Sequence, residues 1–110
     1  MYEVSQNIQD QIKVSAEKIF KKFSPERIYI FGSHALGQAN RDSDLDLCII
    51  LNLRNQRKID LIRSIRREIF NSLDYPLDIL IYDEEEFNER AKHKNSFEYK
   101  ISSQGRLIYE

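Results

Sequence analysis

The sequence predicts an α/β protein of the α+β type, a small mixed β-sheet with helices packed on it. Three observations lead there. Two stretches space their apolar residues at three- and four-residue steps, the stripe of an amphipathic helix. Shorter stretches are nearly continuous apolar runs bounded by turn residues, as buried strands are. At 110 residues the chain is long enough for a two-layer core and too short for a catalytic domain plus a separate substrate domain, so residues 1–110 are expected to form one domain.

In order along the chain, residues 5–23 place Ile8, Ile12, Ala16, Ile19 and Phe23 on one helical stripe, ended by Ser24-Pro25. Arg27-Ile28-Tyr29-Ile30-Phe31 reads as a strand that delivers Gly32-Ser33 at its C-terminal end. His34 to Gly37 reads as a short helical turn stopped by Gly37. A second strand runs from Leu45 to Leu51, with Leu45, Leu47, Ile49 and Leu51 on the face opposite Asp44 and Asp46. A second amphipathic helix is expected from about Lys58 to Leu73, with Ile59, Ile62, Ile65, Ile69 and Leu73 as its apolar stripe. Pro76 to Tyr82 is a third strand. Asp83 is a candidate N-cap for a helix opening Glu84-Glu85-Glu86, whose acids suit the positive end of the helix. A last helix from Ser96 to Gln104 closes at Gly105, and Arg106 to Tyr109 adds an edge strand. No repeat or low-complexity linker interrupts this order.

Charge and composition exclude some roles. With 17 basic and 18 acidic residues the net charge is −1, so nothing draws the whole molecule to nucleic acid, and direct nucleic-acid binding is not expected. The one cysteine, Cys48, lies in an apolar strand and has no partner for an internal disulfide, which fits a reducing cytoplasm and a packing role. Met1 to Ser5 lacks a basic region followed by an apolar run, and no segment reaches transmembrane length. A cytoplasmic protein with no membrane association is the expectation.

The chemistry is concentrated between residues 32 and 78. Gly32-Ser33 is followed, after ten intervening residues, by Asp44-Leu45-Asp46 at the start of a strand. Side chains alternate along a strand, so Asp44 and Asp46 share one face and present two hard anions together. Mg²⁺ suits such a pair, because it takes one or two carboxylates together with substrate phosphates and water. Gly32 lets the backbone approach a phosphate closely, and Ser33 can donate through its hydroxyl and N–H. Asp78 is an acid inside an otherwise apolar strand, Pro76-Leu77-Asp78-Ile79-Leu80-Ile81-Tyr82. Taken alone it could be an edge charge that discourages aggregation; metal ligation or base catalysis is the alternative that its neighbours favour.

Gly-Ser, about ten residues, Asp-X-Asp and a third carboxylate on a later strand together resemble the DNA polymerase β-like nucleotidyltransferase superfamily. The resemblance narrows to its minimal nucleotidyltransferase group, and it covers nearly the whole chain, including the ending Gln104-Gly105-Arg106-Leu107-Ile108-Tyr109. It implies the polymerase β-like fold and a site in which Asp44, Asp46 and Asp78 surround two Mg²⁺. It implies also that Gly32, Ser33, Arg41 and Ser43 hold the triphosphate of ATP. Members of the group are often paired with helical HEPN-type ribonuclease toxins, which they silence by moving AMP from ATP onto a toxin tyrosine. The partner and substrate implied is thus a HEPN toxin, and the acceptor hydroxyl lies outside this chain.

The sequence departs from the group's usual run at His34, Leu36 and Asn40, each of which stands where an arginine is common; Arg41 is one position displaced from Asn40. Loss of one charge-assisted contact costs about 1.5–3 kcal/mol, enough to weaken ATP binding roughly ten- to a hundredfold while leaving the metal chemistry in place. Two other functions stay open: a catalytically weak or inactive module that neutralises a toxin by direct binding, and a transferase acting on RNA or a small molecule with a second subunit. Elsewhere, Arg54, Arg57, Lys58, Arg63, Arg66 and Arg67 form a basic stretch that reads as a solvated helix face. His34 could reach a phosphate, His93 reads as structural, and Tyr29 and Tyr82 read as packing residues.

Overall fold

In the computed structural model, which describes residues 7–39 and 43–109, helix α1 (Ile8–Phe23) begins where the Asn7 side chain accepts the Gln9 N–H. It ends at Ser24, which turns into the left-handed region (φ 49°) and closes its N–H on the Phe20 carbonyl. The order continues as β1 (Arg27–Phe31), a 3₁₀ turn (Gly32–His34), β2 (Leu45–Leu51), α2 (Lys58–Ile69), β3 (Leu77–Asp83), α3 (Glu84–Ala91), α4 (Phe97–Gln104) and β4 (Arg106–Tyr109). This is the mixed α+β architecture expected from the sequence: among the described residues, four α-helices on a four-stranded sheet of order β3-β2-β1-β4. β2 and β3 run parallel, joined by the α2 crossover, while β1 pairs antiparallel with both β2 and β4.

Both faces of the sheet are covered, which is why its strands are almost continuously apolar. Ile28 and Ile30 of β1, Leu45, Leu47, Ile49 and Leu51 of β2, and Ile79 and Ile81 of β3 point to α1 and α2. Tyr29, Cys48, Ile50 and Tyr82 point the other way, to Phe87 of α3 and Ile101 of α4. The Arg27 guanidinium lies over the rings of Tyr29 and Phe87 and donates to Asn88 at 2.6 Å, tying α3 to the start of β1. Gln11, buried on α1, accepts the Asp74 N–H and anchors the turn before β3. At the end of α4, a Cβ on Gly105 would run into the Ile101 carbonyl and stand 3.1 Å from that of Ile30, so only glycine lets the helix end this close to β1. Among the described residues no helix is long and apolar enough to cross a membrane.

The structure corrects the expected face of α2. Leu61, Ile65 and Ile69 are buried, Ile62 only partly, and Ile59 is 47% exposed. Each three-residue step turns about 60° short of a full helical revolution, so a series of such steps drifts around the helix and carries Ile59 about 120° from Ile65. The helix also stops at Ile69, and Leu73 packs from the following loop. The local helix after β1 is the 3₁₀ turn at Gly32–His34, earlier than the His34–Gly37 expected. Asp83 does stand at the N-cap position of α3, but its carboxylate makes no cap bond and instead accepts the Leu53 N–H at 3.2 Å, fastening the end of β2.

Beneath α4, the Tyr82 hydroxyl donates to Glu98 Oε2 at 2.6 Å, and both residues are buried. Burial and this bond hold the Tyr82 hydroxyl well above its ordinary pKa, so it remains a donor at all working pH. Tyr82→Phe should leave a buried acceptor without its donor and lower the unfolding free energy by about 1–3 kcal/mol in a denaturant titration. An unchanged midpoint would show that Glu98 turns to another partner.

Candidate functional site

The end of β1 and the beginnings of β2 and β3 meet at one end of the sheet. Phe31 pairs with Asp46, and Asp46 in turn pairs with Asp78, so the three form a row across β1, β2 and β3. Paired residues share a face, and this row lies on the α3–α4 face. The helices cover that face over Cys48, Ile50 and Tyr82, but they stop short of the acids: Asp46 is half-buried and Asp78 is exposed. Asp44, two residues before Asp46, is exposed beside them.

Gly32 follows Phe31 with φ +74°, and a Cβ there would collide with the Asp46 carboxylate. Glycine is therefore required twice over at this position, for the left-handed backbone and for the approach of the acid. The turn is held by the Gly32 carbonyl, which accepts from the N–H groups of Ala35 and Leu36 at 3.1 and 3.2 Å, and by Ser33, whose carbonyl accepts from Gln38. His34 reaches back across the loop, with Nε2 3.3 Å from the Ser43 carbonyl and its ring edge-on to Tyr75. It thereby closes the loop between Gly32 and Asp44 at its base. Arg41, expected at the triphosphate, and Asn40 lie outside the described residues.

The electrostatics of the site are one-sided. Burial raises the Asp46 carboxyl above its ordinary pKa, the charges of Asp78 and Asp44 raise it further, and a hydrogen bond to Asp78 adds to this; His34 acts in the opposite sense. A hydrogen bond between two carboxyl groups needs a proton on one of them, so a cation placed there would take over the proton's role. Among the described residues no three His, Cys, Asp or Glu side chains form a ready-made metal cage. The donors are nevertheless the hard oxygens that Mg²⁺ prefers, and Mg²⁺ needs only one or two carboxylates when phosphates complete its shell. Asp46 and Asp78, with Asp44 alongside, could hold such an ion.

The structure adds residues that the sequence reading missed. A cavity of about 170 Å³ opens beside Gly32, lined by Phe31, Leu36, Phe97, Ile101 and the polar pair Lys100 and Gln104. Lys100 and Gln104 lie four residues apart on α4, a spacing that puts them on one helix face, but nothing local in the sequence places that face against Gly32. Leu36 is half exposed on the rim. Tyr29 and Tyr82 are buried under α3 and α4, and Cys48 is fully buried with its thiol pushed up to about 12, which leaves it inert at neutral pH. His93 is exposed between α3 and α4, and most of the basic stretch is exposed along and before α2, on the opposite side of the sheet from the acids.

The sequence pattern of the Nucleotidyltransferase domain matches residues 13–108. No curated protein matches the chain. Among solved structures, a candidate nucleotidyltransferase from Sulfolobus solfataricus superimposes with a TM-score of 0.61 at 21% identity, over 100% of this chain and 92% of that one. A toxin–antitoxin structure containing AMP-PNP superimposes with a TM-score of 0.57 at 18% identity, over 91% of this chain and 73% of that one. At such identities the two structures speak for the fold, while the domain match extends over most of the sequence and includes the Gly-Ser turn and all three aspartates. The chain belongs to the nucleotidyltransferase domain family.

Proposed function

We propose that this chain is an Mg²⁺-dependent nucleotidyltransferase that transfers AMP from ATP to a tyrosine hydroxyl of a HEPN-type ribonuclease toxin, and so acts as an antitoxin. The observation that carries the reading is the carboxyl pair Asp46–Asp78 set against the side-chain-free turn at Gly32. Asp44 and Asp46 would hold two Mg²⁺ ions, and Asp78 the one nearest the acceptor hydroxyl. Mg²⁺ bound there would neutralise the triphosphate and acidify the acceptor hydroxyl. The Gly32-Ser33 turn receives the phosphates through its backbone and hydroxyl, with Ser43 and Arg41 beside it. The acceptor oxygen forms a bond to the α-phosphorus, the bond to pyrophosphate breaks, and the hydroxyl proton passes to Asp78. Family membership supports the transfer, and the likeness to a toxin–antitoxin structure with AMP-PNP supports the partner and the nucleotide.

The test is incubation of the protein with labelled ATP, Mg²⁺ and the toxin encoded beside it. Label on a toxin tyrosine is expected; a folded protein that leaves the toxin unlabelled at high ATP overturns the proposal, and label on RNA points to an RNA acceptor instead. One observation favours a second reading, neutralisation by contact: Leu36 puts an exposed apolar side chain beside Gly32, where the pattern the sequence resembles has an arginine. Asp44→Ala with Asp46→Ala decides between the two, since contact neutralisation survives the double substitution and catalysis does not.

Asp78→Asn keeps the shape of the side chain but loses the charge that holds the acceptor-side cation and takes the proton. Mg-ATP affinity should stay within a few fold of wild type while transfer falls by at least about a hundredfold, within the roughly 10²–10⁴ that general-base catalysis contributes. Near-normal transfer would remove Asp78 from the chemistry.

The raised Asp46 pKa also sets a pH dependence. The protonated form stabilises the fold fully only below the unfolded-state value near 3.8, and that contribution is lost as pH rises through the higher folded-state value. Without metal, the ionised site therefore loosens the fold at neutral pH, and Mg²⁺ should restore what the proton supplied. The gain in melting temperature on adding Mg²⁺ should be small near pH 4, grow toward pH 7, and vanish in Asp46→Asn. A gain independent of pH, or one retained by Asp46→Asn, would place the ion elsewhere.

A further inference from the structure

The outer face of α2 carries a pattern that neither the core nor the carboxylate site uses. Ile59, Arg63, Arg66, Arg67 and Phe70 fall within an arc of about 100° on the helix, opposite the buried Leu61, Ile65 and Ile69. Ile59 is 47% and Phe70 78% exposed, and the three arginines between them are exposed as well. Nearby acids are already engaged: Asp60 pairs with Arg57 at 3.0 Å and Glu68 with Lys22 at 3.1 Å. Among the described residues, Arg63, Arg66 and Arg67 make no ion pair. The charge of Arg63 also acts on Asp60, while Arg66 and Arg67 face no acid in an ion pair among the described residues. An apolar residue at each end with guanidinium groups between them is the composition of a protein interface, where aromatic residues and arginine concentrate, rather than of a solvated face.

We infer that this face of α2 docks an acidic amphipathic helix of a partner protein, with carboxylates over Arg63, Arg66 and Arg67 and apolar side chains over Ile59 and Phe70. From Ile59 to Phe70 the stripe is about 16 Å long, three turns of a partner helix. A nucleic acid would use the arginines but gain nothing from the two apolar ends, and the chain's net charge of −1 supplies no wider attraction for it. The stripe also has a direction. β2 leads away from the acids, α2 returns, and β3 starts at the acid end, so Phe70 marks the end of the stripe toward the site. A partner seated there lies on the opposite face of the sheet from Asp46 and Asp78, with the Phe70 end of the stripe at the end of the sheet that bears them. The inference concerns recognition alone and holds whether or not a nucleotide is transferred.

The test uses a synthetic helical peptide of about sixteen residues, with leucines about three turns apart and glutamates between them on the same face. Its scrambled isomer and a short DNA duplex serve as comparisons, and binding is read by fluorescence anisotropy. The patterned peptide should bind at least about tenfold more tightly than the scrambled one, and Arg66→Glu with Arg67→Glu, or Phe70→Ala alone, should each remove about tenfold or more of that affinity. These positions are exposed, so circular dichroism and the melting temperature should match wild type, and Mg-ATP binding should be unaffected. Equal binding of both peptides, preference for the duplex, or full affinity in either variant overturns the inference. So does a concentration-dependent dimer in sedimentation that the double reversal dissolves, which would give the face to a second copy of the chain.

Discussion

The closeness of Gly32 to Asp46 constrains everything around it. An acid on β2 can rest against the end of β1 only if the residue there has no side chain and can take a positive φ, and Gly32 meets both conditions. The antiparallel register of β1 on β2 fixes the depth of that contact by pairing Phe31 with Asp46, and the parallel register of β2 on β3 brings Asp78 into the same row. A slip of one residue in either pairing would set the members of this row on opposite faces of the sheet. The two hydrophobic layers that lock the registers are thus also what aim the carboxylates.

Much of this was legible in the sequence, for identifiable reasons. β1 and β2 are bounded by turn residues and are apolar on both faces, so their limits and their order could be read directly. The Gly-Ser turn and Asp-X-Asp are separated by a single loop, and that loop is closed locally by His34 and Ser43, so sequence spacing translated into spatial proximity. Asp78 could be found because an acid in an apolar strand is conspicuous.

What escaped the sequence depends on contacts between distant segments. The buried face of α2 is decided by how the crossover lies on β2 and β3, and Ile59 is as apolar as the residues that won. Asp83 has the right chemistry for a helix cap, but the end of β2 offers its carboxylate the Leu53 N–H instead. Lys100 and Gln104 come to the cavity beside Gly32 from the far end of the chain, brought there by the packing of α4 on β1 and by the missing side chain of Gly105. Local pattern names the kinds of residue available, and tertiary geometry selects among them.

The strand order has a consequence for synthesis on the ribosome. β1 is an inner strand flanked by β2 and β4, yet β4 is made last, more than seventy residues after β1. Throughout that interval β1 can be paired along one side only, and its other row of amide and carbonyl groups is an open template for strands of other chains. The nascent protein can thus gather α1, α2 and the β1–β2–β3 ladder early, while the open side of β1 is covered only when Arg106–Tyr109 arrives.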